Sequence, residues 1–200
     1  MASPESIQKT MVALKENNFE PILVDSKEEA LAKIQELIPE GASIMNGSSK
    51  TLGEIGYTEL LKKGKHEWNN LHSAILAESD PAKQAHLRRQ SVLSDFYIGS
   101  AHAISETGEI VIASNSGSQL PHIVFTSPNV VFVVGANKIT PSLTEALRRL
   151  KEHVLPLEDV RMKEAYGFGT THTKTVILHK ENSALKRKVY VIIVKESLGF

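Results

Sequence analysis

The chain has 200 residues, 41% hydrophobic and 23% charged, enough for one domain with a sizeable core and inconsistent with global disorder. Lys plus Arg and Asp plus Glu both number 23, so the formal net charge is +0, and neither nucleic acid nor a membrane surface is an expected partner. Cysteine is absent, which excludes disulfides, thiolate metal centres and a thiol nucleophile.

Ser3-Pro4-Glu5 reads as a helix start, with Ile7, Met11 and Leu14 on one face. Pro21–Val24 reads as a strand. Ser26 and Glu29 then make a capping box ahead of a helix whose stripe is Leu31, Ile34, Leu37 and Ile38, stopped by Pro39-Glu40-Gly41. A second strand, Ala42–Met45, runs into Asn46-Gly47-Ser48-Ser49-Lys50-Thr51. Helix alternating with strand implies crossover connections and a largely parallel sheet. Asp80-Pro81 opens a helix to about Ser94. Tyr97–Ile104 and Glu109–Ala113 read as strands joined at the tight turn Glu106-Thr107-Gly108.

Val130–Val134 has the unbroken apolar character of a strand buried on both faces. Pro141–His153 reads as a helix with Leu143, Ala146, Leu147 and Leu150 inward. Pro156–Thr173 has no legible period, and Thr175–Leu178 and Val189–Val194 close the chain as strands. There is no repeat, low-complexity tract or linker. The expectation is a single domain over residues 1–200, with residues 1–40 as its N-terminal helix-strand-helix extension. The N-terminus lacks the apolar run of a signal peptide, and the longest apolar stretches are strand-sized, so a cytoplasmic location is expected.

Four stretches are candidate sites. Asn46, Gly47, Ser48, Ser49, Lys50 and Thr51 follow a strand and precede a helix, where backbone N–H groups, hydroxyls and a lysine suit phosphate or carboxylate; a plain capping turn has the same composition. Glu106, beside Thr107 and Gly108, is a candidate base or nucleophile, or a solvated turn residue. Asn115, Ser116, Gly117 and Ser118 form either a donor nest for an oxyanion or a polar surface loop. Asn137 and Lys138 follow the buried strand, at the strand end where open α/β sheets place ligands, though a turn with a solvated lysine reads the same way. The 8 histidines show no metal-ligand spacing, so no metal or cofactor is expected. Arg88-Arg89 and Arg148-Arg149 read as solvated helix faces.

Taken in order, Asn46–Gly56, Ser94–Glu109, Val133–Ile139 and Val191–Phe200 resemble the lactate-utilization (LUD) domain family. The resemblance implies an α/β fold of three layers, a mostly parallel sheet flanked by helices, similar to the NagB, RpiA and CoA-transferase group and to folate cyclo-ligases. In such relatives a Gly/Ser loop after an early strand holds an anionic group, a role that maps onto Gly47, Ser48 and Ser49. The implied function is binding of a small phosphorylated or carboxylated metabolite of lactate or organic-acid use, with an isomerase- or transferase-like site in which Glu106 would be the reactive group. The alternative is a non-catalytic accessory or regulatory subunit of a lactate-oxidising system, with oxidoreductase subunits or further copies of this chain as partners. A cysteine-rich stretch common in similar members is replaced here by Ala165–His172, which holds no cysteine.

Overall fold

The computed structural model describes residues 1–200. Helix α1 (Pro4–Glu16) starts where Ser3 Oγ accepts the Ser6 N–H, and it buries Ile7, Thr10 and Leu14. After β1 (Glu20–Val24), helix α2 (Lys27–Leu37) is capped by Ser26, which accepts the Glu29 N–H. The expected box is displaced by one residue. Glu29 reaches back to the N–H of Asp25 at 2.8 Å, not to that of Ser26. β2 (Ser43–Asn46) leads into two short helices, α3 (Lys50–Glu54) and α4 (Tyr57–Lys62). A two-residue strand β3 (Asn69–Asn70), α5 (Leu71–Ala77) and α6 (Pro81–Gln90) follow, with Asp80 capping α6 as its sequence indicates.

Next come β4 (Phe96–Gly99), β5 (Ala103–Ser105), β6 (Ile110–Ser114), β7 (Asn129–Gly135) and β8 (Ile139–Thr140). Helix α7 (Leu143–Arg149) passes through a π-helical turn at Leu150–Val154 into α8 (Leu155–Tyr166). The chain then completes β9 (Lys174–Leu178) and β10 (Lys188–Val194). Leu147, expected inside, is 38% exposed, while Ala146, Leu150 and Val154 are buried. The wider π turn explains why the apolar period read from Pro141 cannot be carried beyond His153, and α8 itself buries no residue.

Six strands form a sheet in the order β1-β10-β7-β4-β2-β3, and every pairing in it is parallel. β7 explains the continuous apolar run. Val130, Phe132 and Val134 pack to one side with Leu14, Val191 and Ile193, while Val131 and Val133 pack to the other with Ile34, Ile44 and Ile192. Both faces are covered, so alternation disappears from the sequence.

The expected single strand Tyr97–Ile104 is broken. β4 belongs to the six-stranded sheet, whereas β5 belongs to a second sheet of order β8-β5-β6-β9. Ser100–His102 is the crossing between them. In the second sheet Ile104, Ile110 and Ile112 face the main sheet, and Ala103, Val111 and Ala113 face Ala146, Leu150 and Val154. Gly99-Ser100 inside an apolar run is the local signal for that break, because glycine in a strand interior marks a bend or a close approach.

Candidate functional site

Three loops leave the carboxyl ends of neighbouring parallel strands and meet. Residues 47–49 follow β2, Ser100–His102 follow β4, and Ala136–Lys138 form a 3-10 turn after β7. They lie beside a cavity of about 640 Å³, whose other walls are Ala113–Ser116, Ser118 and Gln119, the inner side of α8, Phe168 to His172, and Gly199-Phe200. Lys50, Thr51, Tyr97 and Arg88 also line it.

Lys138 sits under this cavity with 3% of its surface exposed. Its Nζ donates to Thr51 Oγ1 at 2.9 Å, to Ser100 Oγ at 3.1 Å and to the Ala101 carbonyl at 3.3 Å. No carboxylate lies within ion-pairing distance, although Glu54 is near enough to act through its field. Burial pushes the ammonium down to about 7, with the Arg149 charge adding to the effect, Glu54 opposing it and Lys50 assisting it weakly. A lysine that titrates near neutrality can serve as anion ligand or, once neutral, as base.

His102 lines the same cavity, and its Nδ1 accepts the Ala113 N–H at 3.1 Å. Burial holds it down at about 3, with Lys138, Arg149 and His172 all repelling a proton, so it is neutral with its hydrogen on Nε2. Arg149 Nη1 donates to the His102 carbonyl at 2.6 Å and pins the crossing. Of the other cations at the cavity, Arg161 is paired with Glu158 at 2.7 Å and Lys50 lies 3.8 Å from Glu54. Arg88, at the exposed end of α6, has no ion-pair partner.

Gly47, Ser48, Ser49, Lys50 and Thr51 all line the cavity. Ser49 also caps α3 through the Leu52 N–H, and α3 has only 5 residues, too few for much of a macrodipole. A Cβ on Gly47 would lie 2.9 Å from the Tyr97 phenol oxygen and 3.3 Å from Gln119 Oε1, so the glycine is required by these neighbours. Asn46 turns away toward His72, with its Nδ2 3.3 Å from Nδ1, and its Oδ1 is buried without a partner.

Asn115, Ser116 and Ser118 reach the cavity wall. Their loop satisfies itself: the Gly117 N–H goes to Ser114 Oγ at 2.9 Å and the Ser118 N–H to Ser116 Oγ at 3.3 Å. These N–H groups are therefore spent internally and do not face the cavity as a donor nest. Asn137 is structural, its Oδ1 accepting the Leu198 N–H at 3.1 Å and holding the last residues against the loop after β7.

Glu106, Thr107 and Gly108 are elsewhere. Their turn packs on α1: Ser6 Oγ donates to Glu106 at 2.6 Å, Lys9 Nζ at 2.9 Å, and Asn17 Nδ2 donates to the Thr107 carbonyl at 3.0 Å. Lys9 first, then Ser6, hold the Glu106 carboxyl below its ordinary range, the opposite of what a general base at neutral pH needs. None of the three residues lines the cavity. Ser100, His102 and the α8 residues Glu158 and Arg161 are among the lining groups that the sequence leaves unmarked, and Arg88, which reads as part of a solvated helix face, lines the cavity as well. Only the Gly99-Ser100 interruption hints at them.

No group of three or more His, Asp or Glu converges in a geometry that could hold a metal ion, and no helix is long and apolar enough to cross a membrane. The family model described as LUD domain matches residues 7–194. A crystal structure of a DUF162 family protein from Deinococcus radiodurans is similar with a TM-score of 0.55 at 12% identity, over 97% of this chain and 99% of that one. Ribose 5-phosphate isomerase A from Methanocaldococcus jannaschii is similar at a TM-score of 0.39 and 12% identity, over 82% of this chain and 93% of that one, a likeness too loose to argue from. No curated protein matches the sequence.

Proposed function

The chain belongs to the LUD domain family, and from that premise we propose that its cavity binds a small carboxylated or phosphorylated metabolite, in keeping with the family's association with lactate utilization. The observation that carries this reading is Lys138: an ammonium buried beside a cavity of about 640 Å³, hydrogen-bonded by neutral groups only. Burying an ammonium without a counter-ion is costly, and its lowered proton affinity expresses that cost. An anion entering the cavity would supply the missing charge. At about 4 Å and an effective dielectric of about 20 that attraction is about 4 kcal/mol before desolvation. Ser100 accepts from Lys138, and its own hydroxyl proton, now shared between Thr51 Oγ1 at 3.3 Å and the Ala101 carbonyl at 3.2 Å, can turn to such a ligand. Arg88 adds an unpaired cation at the rim.

The experiment is a thermal-shift titration of the purified protein with lactate, inorganic phosphate, ribose 5-phosphate and, as neutral control, ribose. At least one anion should raise the melting temperature by mass action on the native state, and ribose should not. The shift should vanish in Lys138→Met. An equal shift in that variant would remove Lys138 and its cavity from the reading.

A further inference from the structure

We propose that Ser100 is a nucleophile with Lys138 as its general base, and that the cavity carries out acyl transfer on a small ester or thioester bearing a remote anionic group. This rests on the cavity being the ligand site, and it adds a covalent step.

The argument starts from hydrogen-bond inventory. A neutral lysine has two N–H donors and one lone pair. Of the three partners around Nζ, the Ala101 carbonyl can only accept, so it takes one N–H. Thr51 and Ser100 are hydroxyls that both accept from the ammonium; once Nζ is neutral, one accepts the second N–H and the other turns to donate to the lone pair. Thr51 is 1% exposed and enclosed, whereas Ser100 is half-buried and faces the cavity. The Ser100 proton has two other acceptors in reach, Thr51 Oγ1 at 3.3 Å and the Ala101 carbonyl at 3.2 Å, but neither is a base. Only Lys138, 3.1 Å away, can remove it.

The surroundings hold this pair in place. Ser100 lies at the crossing between two sheets, where the Arg149 bond to the His102 carbonyl fixes the backbone. The charged and titratable groups that bear on Lys138 are Arg149 on α7, Glu54 and Lys50 on α3, and neutral His102 on the crossing itself. Together with burial they leave the lysine part neutral at physiological pH, as a base must be.

The step balances without a co-reactant beyond water. Ser100 Oγ bonds to the substrate's carbonyl carbon as its proton passes to Lys138 Nζ. The new ammonium, 3.1 Å from Ser100 Oγ, stabilises the oxyanion through its charge. Collapse breaks the bond to the alcohol or thiol, which leaves with the proton from Lys138. Water then attacks the acyl-Ser100 ester, its proton passing through Lys138 to Ser100 Oγ, and releases the acid. Arg88 at the rim and Lys50 on the wall suit the remote carboxylate or phosphate.

The test uses phenylmethanesulfonyl fluoride and an alkyl fluorophosphonate on the full chain, read by intact mass and peptide mapping. One adduct is expected, on Ser100, forming at a rate that rises through about pH 7 and then levels as Lys138 becomes neutral. Ser100→Ala should take no adduct, and Lys138→Met should slow labelling about 100-fold or more, the usual range for loss of a general base. The wild-type pH profile decides the matter even if a variant misfolds. A label on Thr51 or elsewhere, a flat pH profile, or no label at all overturns the dyad. If labelling fails while the anion-dependent thermal shift persists in Ser100→Ala and is lost in Lys138→Met, the dyad alone falls and the binding reading stands. If no anion shifts the melting temperature, the binding reading falls, and the dyad falls with it.

Discussion

Glu106 and Lys138 are each gripped by side chains from distant elements, yet the two clusters behave in opposite ways. Glu106 meets a hydroxyl and an ammonium from α1 at the solvent edge, and both favour its charged form. Lys138 meets two hydroxyls and a carbonyl from α3 and the Ser100–His102 crossing, beneath a cavity, and burial opposes its charged form. The first cluster is a satisfied ion pair that fastens a helix to a hairpin. The second is a charge without a carboxylate partner beside a cavity, which is where a ligand or a proton transfer has something to gain. Carboxylates beside tight turns draw attention in a sequence, but the environment decides which titratable group is poised to act.

The sharpest way to break this comparison is to neutralise both groups in parallel. Lys138→Met should abolish the anion-dependent thermal shift, and Glu106→Gln should leave it at the wild-type value. A lost shift in Glu106→Gln, with Lys138→Met unaffected, would exchange the roles of the two clusters.

A glycine beside each cluster sharpens it further. Gly108 has φ +88°, and a Cβ there would lie 2.6 Å from Asn17 Nδ2 and 2.9 Å from the Ala13 backbone. Gly108→Ala should therefore destabilise by about 1–3 kcal/mol, from left-handed strain plus displacement of α1, without altering anion response once allowance is made for stability. Gly199 has φ +62° and a Cβ there would lie 2.9 Å from Lys138 Nζ and against Thr51 Oγ1. Gly199→Ala should cost similar stability and also weaken the anion response, because it displaces the lysine. Urea unfolding of each variant with and without phosphate separates the two effects.

A further comparison lies in pH dependence. Lys138 binds its proton less tightly folded than unfolded, so between about pH 7 and the ordinary lysine range the unfolded chain carries more protons and folding stability rises with pH. Glu106 has linkage of the same sign in a more acid window: its lowered pKa contributes stability that is present above the ordinary carboxylate range and lost as pH falls through its folded value. Melting temperatures from pH 6 to 10 should lose their Lys138-dependent rise in Lys138→Met and keep it in Glu106→Gln. Equal profiles in the wild type and Lys138→Met would mean that the lysine is not the group titrating there.

The local elements were legible because local rules create them. Ser3, Asp80 and the Asn46–Thr51 loop stand where side chains cap helices, and β7 and β10 are readable from apolar runs that only a doubly covered parallel strand tolerates. The Gly47–Thr51 loop and Lys138 stand out by their places after strands, and both border the cavity. Tertiary structure decided the rest. It split the apolar run at Gly99-Ser100 between two sheets, folded α8 over the cavity through a π turn that breaks the helical period, and bound Glu106 to α1. It also brought Lys138 to Thr51, 87 residues away, and to Ser100, 38 residues away. Caps and strand patterns are written within a few residues of one another. The burial and missing counter-ion that set the reactivity of Lys138 depend on chain segments that meet only after the sheets have closed.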